Sequence, residues 1–417
     1  MITFCNKYYK LTYNDKSSEI NIINPILENY RYKIFRRLEQ EFIDFFMNKK
    51  INNNINPQNQ RIKVHKAFGR WIMLQIALGN NKIDPLIPNK ISKESYHQLD
   101  EDIKNFTRNK KIDTKSIISE LNLITKCQQY IDSITDFIKK KNIKSFDKTI
   151  IKIFFNEATQ MYELNIGDDS RTVDVSKVIH DRIKILFITN QTFGQNLKNE
   201  EDFYYLLYCL MLRYITISEE GVRQAGLVQS FFDALNEEFN INYECFAASF
   251  AASSNQICSL FYDIEKYFGS CGNFFELEPE MGFYQCSPPL DSLITTMAMD
   301  RILEILGRNN NQYPLAFVCL IPMWDNESIR KEGGESKKLE LFDDFPIYYK
   351  ARDSKHLIYN HDIINKKIIY YQYQGKGEML GVFHAPHIMV LGNDKFRKSF
   401  NQNKFIKLLD IFIQDKF

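Results

Sequence analysis

From Tyr243 onward the sequence alternates strand-like and helical segments, and this alternation constrains the fold more than any other feature. Apolar, strand-like runs occur at Tyr243–Ala247, Phe283–Cys286 and Leu315–Ile321. Helical patterns lie between them, near Asn255–Phe261 and at Leu290–Leu306. Strands that alternate with helices are typical of parallel sheets with crossover helices. The sequence therefore predicts an α/β fold for this part of the chain.

The chain before residue 149 has a different pattern, in which apolar residues recur at helical spacing. Arg31–Asn48, Phe68–Leu78 and Thr114–Lys141 are amphipathic at that spacing. The change predicts two domains, a basic helical domain at residues 1–145 and an α/β domain at residues 146–417. Further elements predicted after the boundary are strands at Thr149–Phe155, Met161–Asn165, Lys367–Gln374 and Gly381–Leu391, and helices at Glu200–Thr216 and Leu227–Phe239.

The charge of the chain is distributed unevenly between these two parts. The formal net charge is only +2, but residues 1–145 contain 26 Lys and Arg against 15 Asp and Glu. The remaining residues contain 28 basic and 37 acidic side chains. A basic front domain is typical of proteins that contact phosphate groups. The alternative is a solvated helical surface without a ligand.

Cysteine usage and hydropathy bear on the compartment. Eight cysteines are present, none spaced as Cys-x-x-Cys, and most lie in apolar runs, which favours reduced, buried thiols over disulfides or a zinc site. Apolar runs such as Leu206–Leu212 are far shorter than a membrane span, and the N-terminus lacks a signal-peptide pattern. Pro386 prevents His384 and His387 from forming a helical pair, so no metal is expected. We expect an intracellular protein that is not secreted.

The tetrapeptide Ser287-Pro288-Pro289-Leu290 is the strongest candidate for chemistry. It follows an apolar strand end and precedes a long helix, and ligands of α/β sheets bind at the carboxyl ends of strands. Consecutive prolines leave carbonyl groups without local amide partners, so these carbonyls can accept hydrogen bonds from an exocyclic amino group. The alternative is an ordinary strand-to-helix turn, with Ser287 as the N-cap and Pro288 at the first helical position.

Motifs on both sides of the tetrapeptide extend this pattern. The sequence contains Glu244-Cys245-Phe246-Ala247 followed by Ala248-Ser249-Phe250-Ala251, then Tyr267-Phe268-Gly269-Ser270, and later Leu320-Ile321-Pro322-Met323-Trp324. Together with the tetrapeptide, they resemble the phosphorylated-CTD-interacting-factor family of cap-specific adenosine N6-methyltransferases. That family has Glu-Cys-Phe-Ala-Ser-Pro-Leu-Asn, Tyr-Phe-Gly-Ser, Asn-Pro-Pro-Phe and Phe-Ile-Pro-Glu-Trp in this order. Phe68-Gly69-Arg70-Trp71 and Asp84–Pro88 resemble the family's helical domain.

The resemblance implies a Rossmann-like class I methyltransferase domain preceded by an all-α lobe. It implies S-adenosylmethionine as cofactor, no metal, and the cap-adjacent (2′-O-methyl)adenosine of capped mRNA as substrate. Transcription or capping machinery would be a partner, no membrane is involved, and the location would be nuclear or cytoplasmic. The implied catalytic residues are Ser287, Pro288, Pro289 and Leu290. The implied cofactor-binding residues are Glu244, Cys245, Phe246, Ala247, Ser249 and Gln224. The implied RNA-binding residues are Arg61, Lys63, Lys66, Arg70 and Trp324.

Simpler interpretations of these residues stay open. Glu244 could be a surface charge at the start of a strand, Gln224 could lie in an ordinary loop, and Trp324 could be part of the core. The basic segment that contains Arg61, Lys63, His65, Lys66 and Arg70 could be a solvated helix face.

Three departures from the family pattern leave the activity open. Ser287 replaces Asn, Leu290 replaces Phe, and Ala251 stands where the family has Asn. An aromatic ring at position 290 would stack on the adenine, a contact worth roughly 1–3 kcal/mol. The alternative to an enzyme is a catalytically inactive homologue that binds RNA or a transcription partner, and a third interpretation is a methyltransferase with a changed substrate. The family's N-terminal WW domain has no counterpart in this sequence, so binding through that domain is not expected.

Overall fold

The computed structural model describes residues 2–6, 9–13, 22–49, 56–79, 81–107, 113–147, 149–190, 199–218, 224–227, 229–289, 291–308, 312–322, 346–362, 366–373, 378–384 and 386–415. The fold is mixed α/β, with a helical N-terminal region and a mixed main sheet. No helix among the described residues is long and apolar enough to cross a membrane.

The helical region begins at Pro25 and agrees with the predicted amphipathic segments. Its helices are α1 (Pro25–Asn48), α2 (Pro57–Ala77), α3 (Lys93–Thr107), α4 (Thr114–Leu121) and α5 (Leu123–Lys141). The predicted helix Thr114–Lys141 is two helices, because Asn122 between them adopts a left-handed conformation with φ of 50°. Asparagine tolerates this conformation better than most residues and can end a helix there.

The next segment forms a small antiparallel sheet followed by two helices. The strands are β3 (Lys152–Asn156), β4 (Met161–Asn165) and β5 (Val173–Ser176), and they pair in the order β3-β4-β5. Helices α6 (Lys177–Thr189) and α7 (Glu200–Ser218) follow. Helix α7 packs against α1, so one hydrophobic core extends from the helical region across residue 145. The division into domains at that residue stays a prediction.

The main sheet is built mostly from the C-terminal half of the chain. Its strands there are β7 (Tyr243–Glu244), β8 (Gln256–Ile257), β9 (Leu277–Cys286), β10 (Leu315–Pro322), β11 (Leu357–Asp362) and β14 (Pro386–Gly392). Strands β8, β7, β9 and β10 are parallel neighbours in that order. Strand β14 then pairs antiparallel with both β10 and β11. The alternation of strands and helices after Tyr243 thus produces the expected parallel pairing.

The N-terminal residues differ from the helical prediction. Strands β1 (Ile2–Asn6) and β2 (Tyr9–Tyr13) form an antiparallel hairpin, and β2 pairs with the first half of β9. The first residues of the predicted helical domain therefore extend the main sheet. Local pattern did not reveal this pairing, because the partner strand lies more than 260 residues away in the sequence.

A further antiparallel sheet of four strands lies outside the main one in the described part of the chain. It consists of β6 (Gln224–Leu227), β12 (Lys366–Tyr373), β13 (Glu378–His384) and β15 (Ile413–Asp415). The prediction of one strand at Gly381–Leu391 is wrong, because this stretch contributes to β13 here and to β14 in the main sheet. The predicted helix near Asn255–Phe261 is also wrong, since β8 occupies part of it. Short apolar runs do not distinguish a buried strand from a buried helix.

Helices cover both faces of the main sheet. They are α8 (Gln229–Phe239), α10 (Ser292–Arg308), α11 (Pro346–Arg352), α12 (Asp394–Ser399) and α13 (Gln402–Phe412). The short helix α9 (Tyr262–Glu265) packs instead against α7. Alternate residues of β10 point to opposite faces: Phe317, Cys319 and Ile321 pack in the core with α10 and α11, whereas Val318 packs with α8, α12 and α13. Burial on both sides explains the continuous apolar character of β10. The cysteines whose side chains are described are free and buried, as predicted.

Candidate active site

The order of the parallel strands brings two predicted motifs to the same edge of the main sheet. From β7 the chain first moves outward to β8 and then returns to β9 on the other side of β7. Ligands of open α/β sheets bind outside the carboxyl ends of the strands at such a reversal. The carboxyl end of β7 is Glu244 and that of β9 is Cys286, directly before Ser287. The amide of Cys245 donates to the carbonyl of Gln285 at 2.8 Å, which fixes the two strand ends together.

Glu244 is a buried carboxylate and not a surface charge. Its residue surface is 4% exposed. The backbone amides of Ser253 and Ser254 donate to its Oε1 at 2.5 and 2.7 Å. Burial raises the pKa of Glu244 to about 7, although the charge of Arg182 and the two amide hydrogen bonds act in the opposite direction. The side chain therefore closes the loop that follows β7 back onto the strand end.

A second buried carboxylate, Glu265, holds the middle of the same loop. Its Oε1 accepts hydrogen bonds from the amide and hydroxyl of Ser249 at 2.8 and 3.1 Å. Its Oε2 accepts from the Phe261 amide and from the Tyr214 hydroxyl, both at 3.0 Å. Burial raises the pKa of Glu265. Sequence reasoning missed this residue, and its only signal was an acidic side chain next to the apolar Ile264 and before the Tyr267-Phe268-Gly269-Ser270 motif.

The tetrapeptide turn is held by contacts from both sides. Gln285 Nε2 donates to Ser287 Oγ. The carbonyl of Pro289 accepts from the Asp291 amide at 2.6 Å and from the Thr295 hydroxyl at 3.4 Å. Pro288 is buried, whereas Ser287 and Pro289 are partly exposed. Leu290 lies outside the described residues.

Asp291, and not Ser287, caps helix α10. Its Oδ1 accepts from the amides of Leu293 and Ile294, both at 3.0 Å. These are the unpaired amides that an N-cap side chain normally satisfies. The alternative of Ser287 as N-cap is therefore wrong, and the two prolines precede the helix instead of starting it. The tetrapeptide is free of the capping function that a plain strand-to-helix turn would have given it.

Helix α2 of the helical region reaches this edge of the sheet. Its Met73 and Leu74 pack against Ile294 of α10, and Phe246 from the loop after β7 joins the same cluster. One turn earlier, Arg70 forms an ion pair with the buried carboxylate of Asp102. Burial raises the pKa of Asp102 to about 7; the charge of Arg70 lowers it, and that of nearby Asp291 raises it. Arg70 therefore lies beside the start of α10.

The predicted basic segment is divided between two faces of α2. Arg61 donates to Gln40 Oε1 at 3.1 Å, and His65 Nε2 lies 3.0 Å from Glu39 Oε1, so both side chains point toward α1. The remaining members, Lys63, Lys66 and Arg70, follow at intervals of three and four residues and share another face. The structure thus groups three of the predicted RNA-binding residues and separates Arg61 from them.

Other predicted site residues have simpler positions or are not described. Trp324 lies outside the described residues. Gln224 starts β6, which pairs with β12 in the four-stranded sheet, so it is in a strand and not in a loop. Within the described ranges, no group of three or more His, Cys, Asp or Glu side chains could hold a metal ion.

Comparison with known proteins finds relatives for the segment that contains this site. Residues 182–338 match the protein family described as Phosphorylated CTD interacting factor 1 WW domain. The match runs from α6 past β10 and includes both strand ends described above. This segment is therefore similar to the phosphorylated-CTD-interacting-factor family. The predicted resemblance is therefore confirmed for the central part of the chain.

Two curated relatives have the same name. A human protein, mRNA (2'-O-methyladenosine-N(6)-)-methyltransferase, is 32% identical over 126 residues, which cover 28% of this chain and 17% of that protein. The mouse protein of that name is 30% identical over 126 residues, with the same coverage of both chains. The match thus spans less than a fifth of the length of either relative.

Proposed function

We propose that this chain is an S-adenosylmethionine-dependent methyltransferase that methylates N6 of the cap-adjacent (2′-O-methyl)adenosine of capped mRNA. The observation that carries the proposal is the pairing of β7 with β9, which joins the Glu244 loop to Ser287-Pro288-Pro289 at one sheet edge. The names of the human and mouse relatives support this choice of substrate. The proposal includes a Rossmann-like class I methyltransferase domain at residues 146–417 and a basic helical domain at residues 1–145.

The groups at the end of β7 fit a nucleoside-containing cofactor. Among the described residues, both hydrogen bonds to the Glu244 carboxylate end on Oε1, and a carboxylate at a strand end is suited to a pair of ribose hydroxyls. Cys245, Phe246, Ala247 and Ser249 would line the cofactor with their backbone, and Gln224 is the remaining residue that we propose for cofactor binding. When bound, S-adenosylmethionine would supply an electrophilic methyl group.

The tetrapeptide would hold the adenine amino group. Its two hydrogens need two acceptors, and Ser287 Oγ and the Pro288 carbonyl are suitably close in sequence. The Pro289 carbonyl is already occupied by Asp291, whereas no described residue donates to the Pro288 carbonyl. With both hydrogens held, the nitrogen lone pair is directed away from these acceptors and toward the methyl group. Holding reactants in line supplies much of the catalysis in such a transfer.

The basic residues of α2 would bind the RNA near its cap. Lys63, Lys66 and Arg70 share a face of α2, and Arg70 lies beside the start of α10, directly after the tetrapeptide. Cations of this kind fix the position of a phosphate backbone without selecting its sequence. Trp324 would contribute a stacking surface. Capping or transcription machinery would deliver the substrate, in the nucleus or the cytoplasm.

A second candidate function is RNA or partner binding without catalysis. It is favoured by Ala251, which lies in the buried loop after β7 and offers no side-chain donor or acceptor there. Leu290 likewise lacks the aromatic face that would clamp an adenine. These residues leave the fold and the basic face intact, so they would not prevent binding.

Calorimetric titration followed by a transfer assay tests the proposal. We expect S-adenosylmethionine to bind the full chain, and we expect labelled methyl groups to be transferred to capped RNA that starts with A and not to RNA that starts with G. Ser287→Ala should reduce transfer without abolishing cofactor binding, because the proposed role of Ser287 is to hold the substrate amino group and not the cofactor. Absence of cofactor binding at millimolar concentration, with RNA binding retained, would reject the enzyme in favour of the second candidate.

A further inference from the structure

Gln285 carries a buried carboxamide two residues before Ser287, and this side chain contacts the tetrapeptide directly. It is 2% exposed and lies one residue before the end of β9. Its backbone pairs with Glu244 on one side and with Val318 on the other. Its Nε2 donates to Ser287 Oγ. Both neighbouring strands therefore fix the position from which the carboxamide reaches Ser287.

We propose that Gln285 is a positioning residue that holds the Ser287 hydroxyl as acceptor for the substrate amino group. This inference rests on the proposed function, because it concerns the same transfer. A serine hydroxyl rotates about Cα–Cβ and can adopt three staggered positions. The hydrogen bond from Gln285 selects one of them. Because the carboxamide is buried, water competes little for this bond.

The hydrogen-bonding capacity of Ser287 is compatible with this role. A hydroxyl oxygen has two acceptor lone pairs. Gln285 occupies one, and the second stays available for a hydrogen of the adenine amino group. The family that this sequence resembles has asparagine at this position. The carboxamide oxygen of asparagine accepts hydrogen bonds and carries no hydrogen, so no neighbour is needed to orient a hydroxyl. Gln285 and Ser287 together thus supply the acceptor for the substrate amino group that asparagine supplies alone.

The contacts predict which kinetic constant responds. The cofactor loop is held by Glu244 and Glu265, neither of which contacts the Gln285 side chain in the described residues. Loss of the Gln285 carboxamide should therefore leave cofactor affinity and the KM for RNA within about twofold. The rate of transfer should fall about tenfold, since small displacements of a positioning group cost one to two orders of magnitude.

The test compares Gln285→Leu in the natural background and in a Ser287→Asn background. We expect the substitution to lower kcat about tenfold in the first. We expect a loss of less than about twofold in the second, because the carboxamide oxygen of asparagine carries no hydrogen and does not depend on a donor that orients a hydroxyl. The matched control is Gln60→Leu. This substitution removes a buried carboxamide that lies in helix α2, away from the tetrapeptide in the sequence, and it should not change kcat. A purely structural role for Gln285 would lower kcat equally in both backgrounds and would overturn the inference.

A second variant covers the case in which Gln285→Leu fails to fold. Gln285→Glu keeps the shape of the side chain and can donate to Ser287 only when its carboxyl group is protonated. We expect its kcat to fall as the pH rises through the pKa of that carboxyl, relative to the natural chain. A pH profile parallel to that of the natural chain would overturn the inference.

Absence of transfer by the natural chain would reject the proposed function and this inference together, whereas transfer that is unaffected in Gln285→Leu would reject this inference alone.

Discussion

The ionisation of Glu244 links the candidate cofactor loop to pH. Burial raises the pKa of this carboxyl from its ordinary 4.5 to about 7. The stability that the neutral form contributes is fully present below the ordinary value and is lost as the pH rises to about 7. The ionised form, in contrast, is the better acceptor for ribose hydroxyls. Fold stability and cofactor binding should therefore respond to pH in opposite directions.

We predict that Glu244→Gln removes both effects. As the pH rises from 5 to 8, the free energy of unfolding of the variant should increase relative to that of the natural chain. The affinity of the variant for S-adenosylmethionine should be weak and independent of pH. Denaturant unfolding and calorimetry at a series of pH values measure the two quantities. Asp102→Asn is the control, because burial also raises the pKa of Asp102 to about 7 but its side chain contacts Arg70 and not the loop. A pH-dependent cofactor affinity that survives in Glu244→Gln would contradict the prediction.

Position 290 offers a test of the adenine clamp. If Leu290 only weakens a stacking contact, Leu290→Phe should raise the rate of methyl transfer. A stacking energy of roughly 1–3 kcal/mol corresponds to a gain of about 5- to 160-fold. Steady-state transfer to capped RNA measures the effect. No gain in an otherwise folded variant would indicate that the loop around Ala251 limits the reaction instead.

At the scale of elements, the turn after α9 determines how β8 meets its neighbours. Gly269 has a φ of 97°, and a Cβ at this position would lie 2.4 Å from the Asn255 carbonyl oxygen. Its own carbonyl accepts from the Ile257 amide at 3.3 Å, and the next residue, Ser270, pairs with Ile257. The Tyr267-Phe268-Gly269-Ser270 motif is therefore a backbone requirement of the sheet edge, since only glycine fits both the conformation and the space.

We predict that Gly269→Ala lowers the free energy of unfolding by at least about 2 kcal/mol. The alanine would have to adopt the left-handed conformation that glycine tolerates, and its Cβ would clash with the backbone. Gly307→Ala in α10 is the matched control: a Cβ there meets nothing within 4 Å, and stability should stay equal or rise by up to about 1 kcal/mol. Denaturant unfolding of the two variants gives the comparison. Similar stabilities for both would refute the assignment of the strain to Gly269.

The elements themselves were predictable to different degrees. The structure confirms three predicted elements within two residues of their bounds: the helix Glu200–Thr216 and the strands Met161–Asn165 and Leu315–Ile321. Strong periodicity or a long apolar run is compatible with few alternative secondary structures. The helix proposed near Asn255–Phe261 was not confirmed. Its short apolar run becomes β8 only because β7 is available as a parallel partner. Local pattern thus fails where a strand is as short as two residues.

At the scale of the whole molecule, a buried ionic network joins the helical region to the rest of the chain. Arg213 of α7 donates to Glu28 of α1 at 2.8 and 3.0 Å and to Asp263 of α9 at 2.7 and 2.8 Å. Arg31 extends the network to Glu28 and Asp84. Both arginine side chains are fully buried. Loss of one partner would leave uncompensated charges in the core.

We predict that Arg213→Met destabilises the chain by about 3–5 kcal/mol, the usual cost of breaking a buried ion pair from one side. Arg308→Met is the control, since Arg308 is half exposed and its pairs with Glu278 and Glu304 should contribute less than about 1 kcal/mol. Thermal or denaturant unfolding measures both. Equal effects would argue against a structural role for the network.

The basic face of α2 should determine how RNA binding depends on salt. Each phosphate contact on single-stranded RNA contributes about 0.7 to the slope of log affinity against log salt concentration. We predict that Lys63→Ala and Lys66→Ala each reduce the slope by about this amount, and that Arg61→Ala, on the face toward α1, changes it less. Titration of capped RNA at several salt concentrations provides the slopes. Equal losses from all three variants would indicate that the whole basic segment contacts RNA.

The sequence by itself determined the mixed α/β class, the helical front and the resemblance of the central segment to the family, and it singled out the tetrapeptide as a candidate site. These follow from periodicity and from short motifs, which local residues specify. Only the tertiary structure decided that Asp291 caps α10, that Glu265 holds the loop after β7, that Gln285 reaches Ser287 and that the basic segment is split between two faces. Each of these depends on a partner whose position is set by strand pairing or helix packing. The physical reason is that hydrogen bonds and buried charges are satisfied in space, whereas a sequence pattern records only which side of an element is apolar.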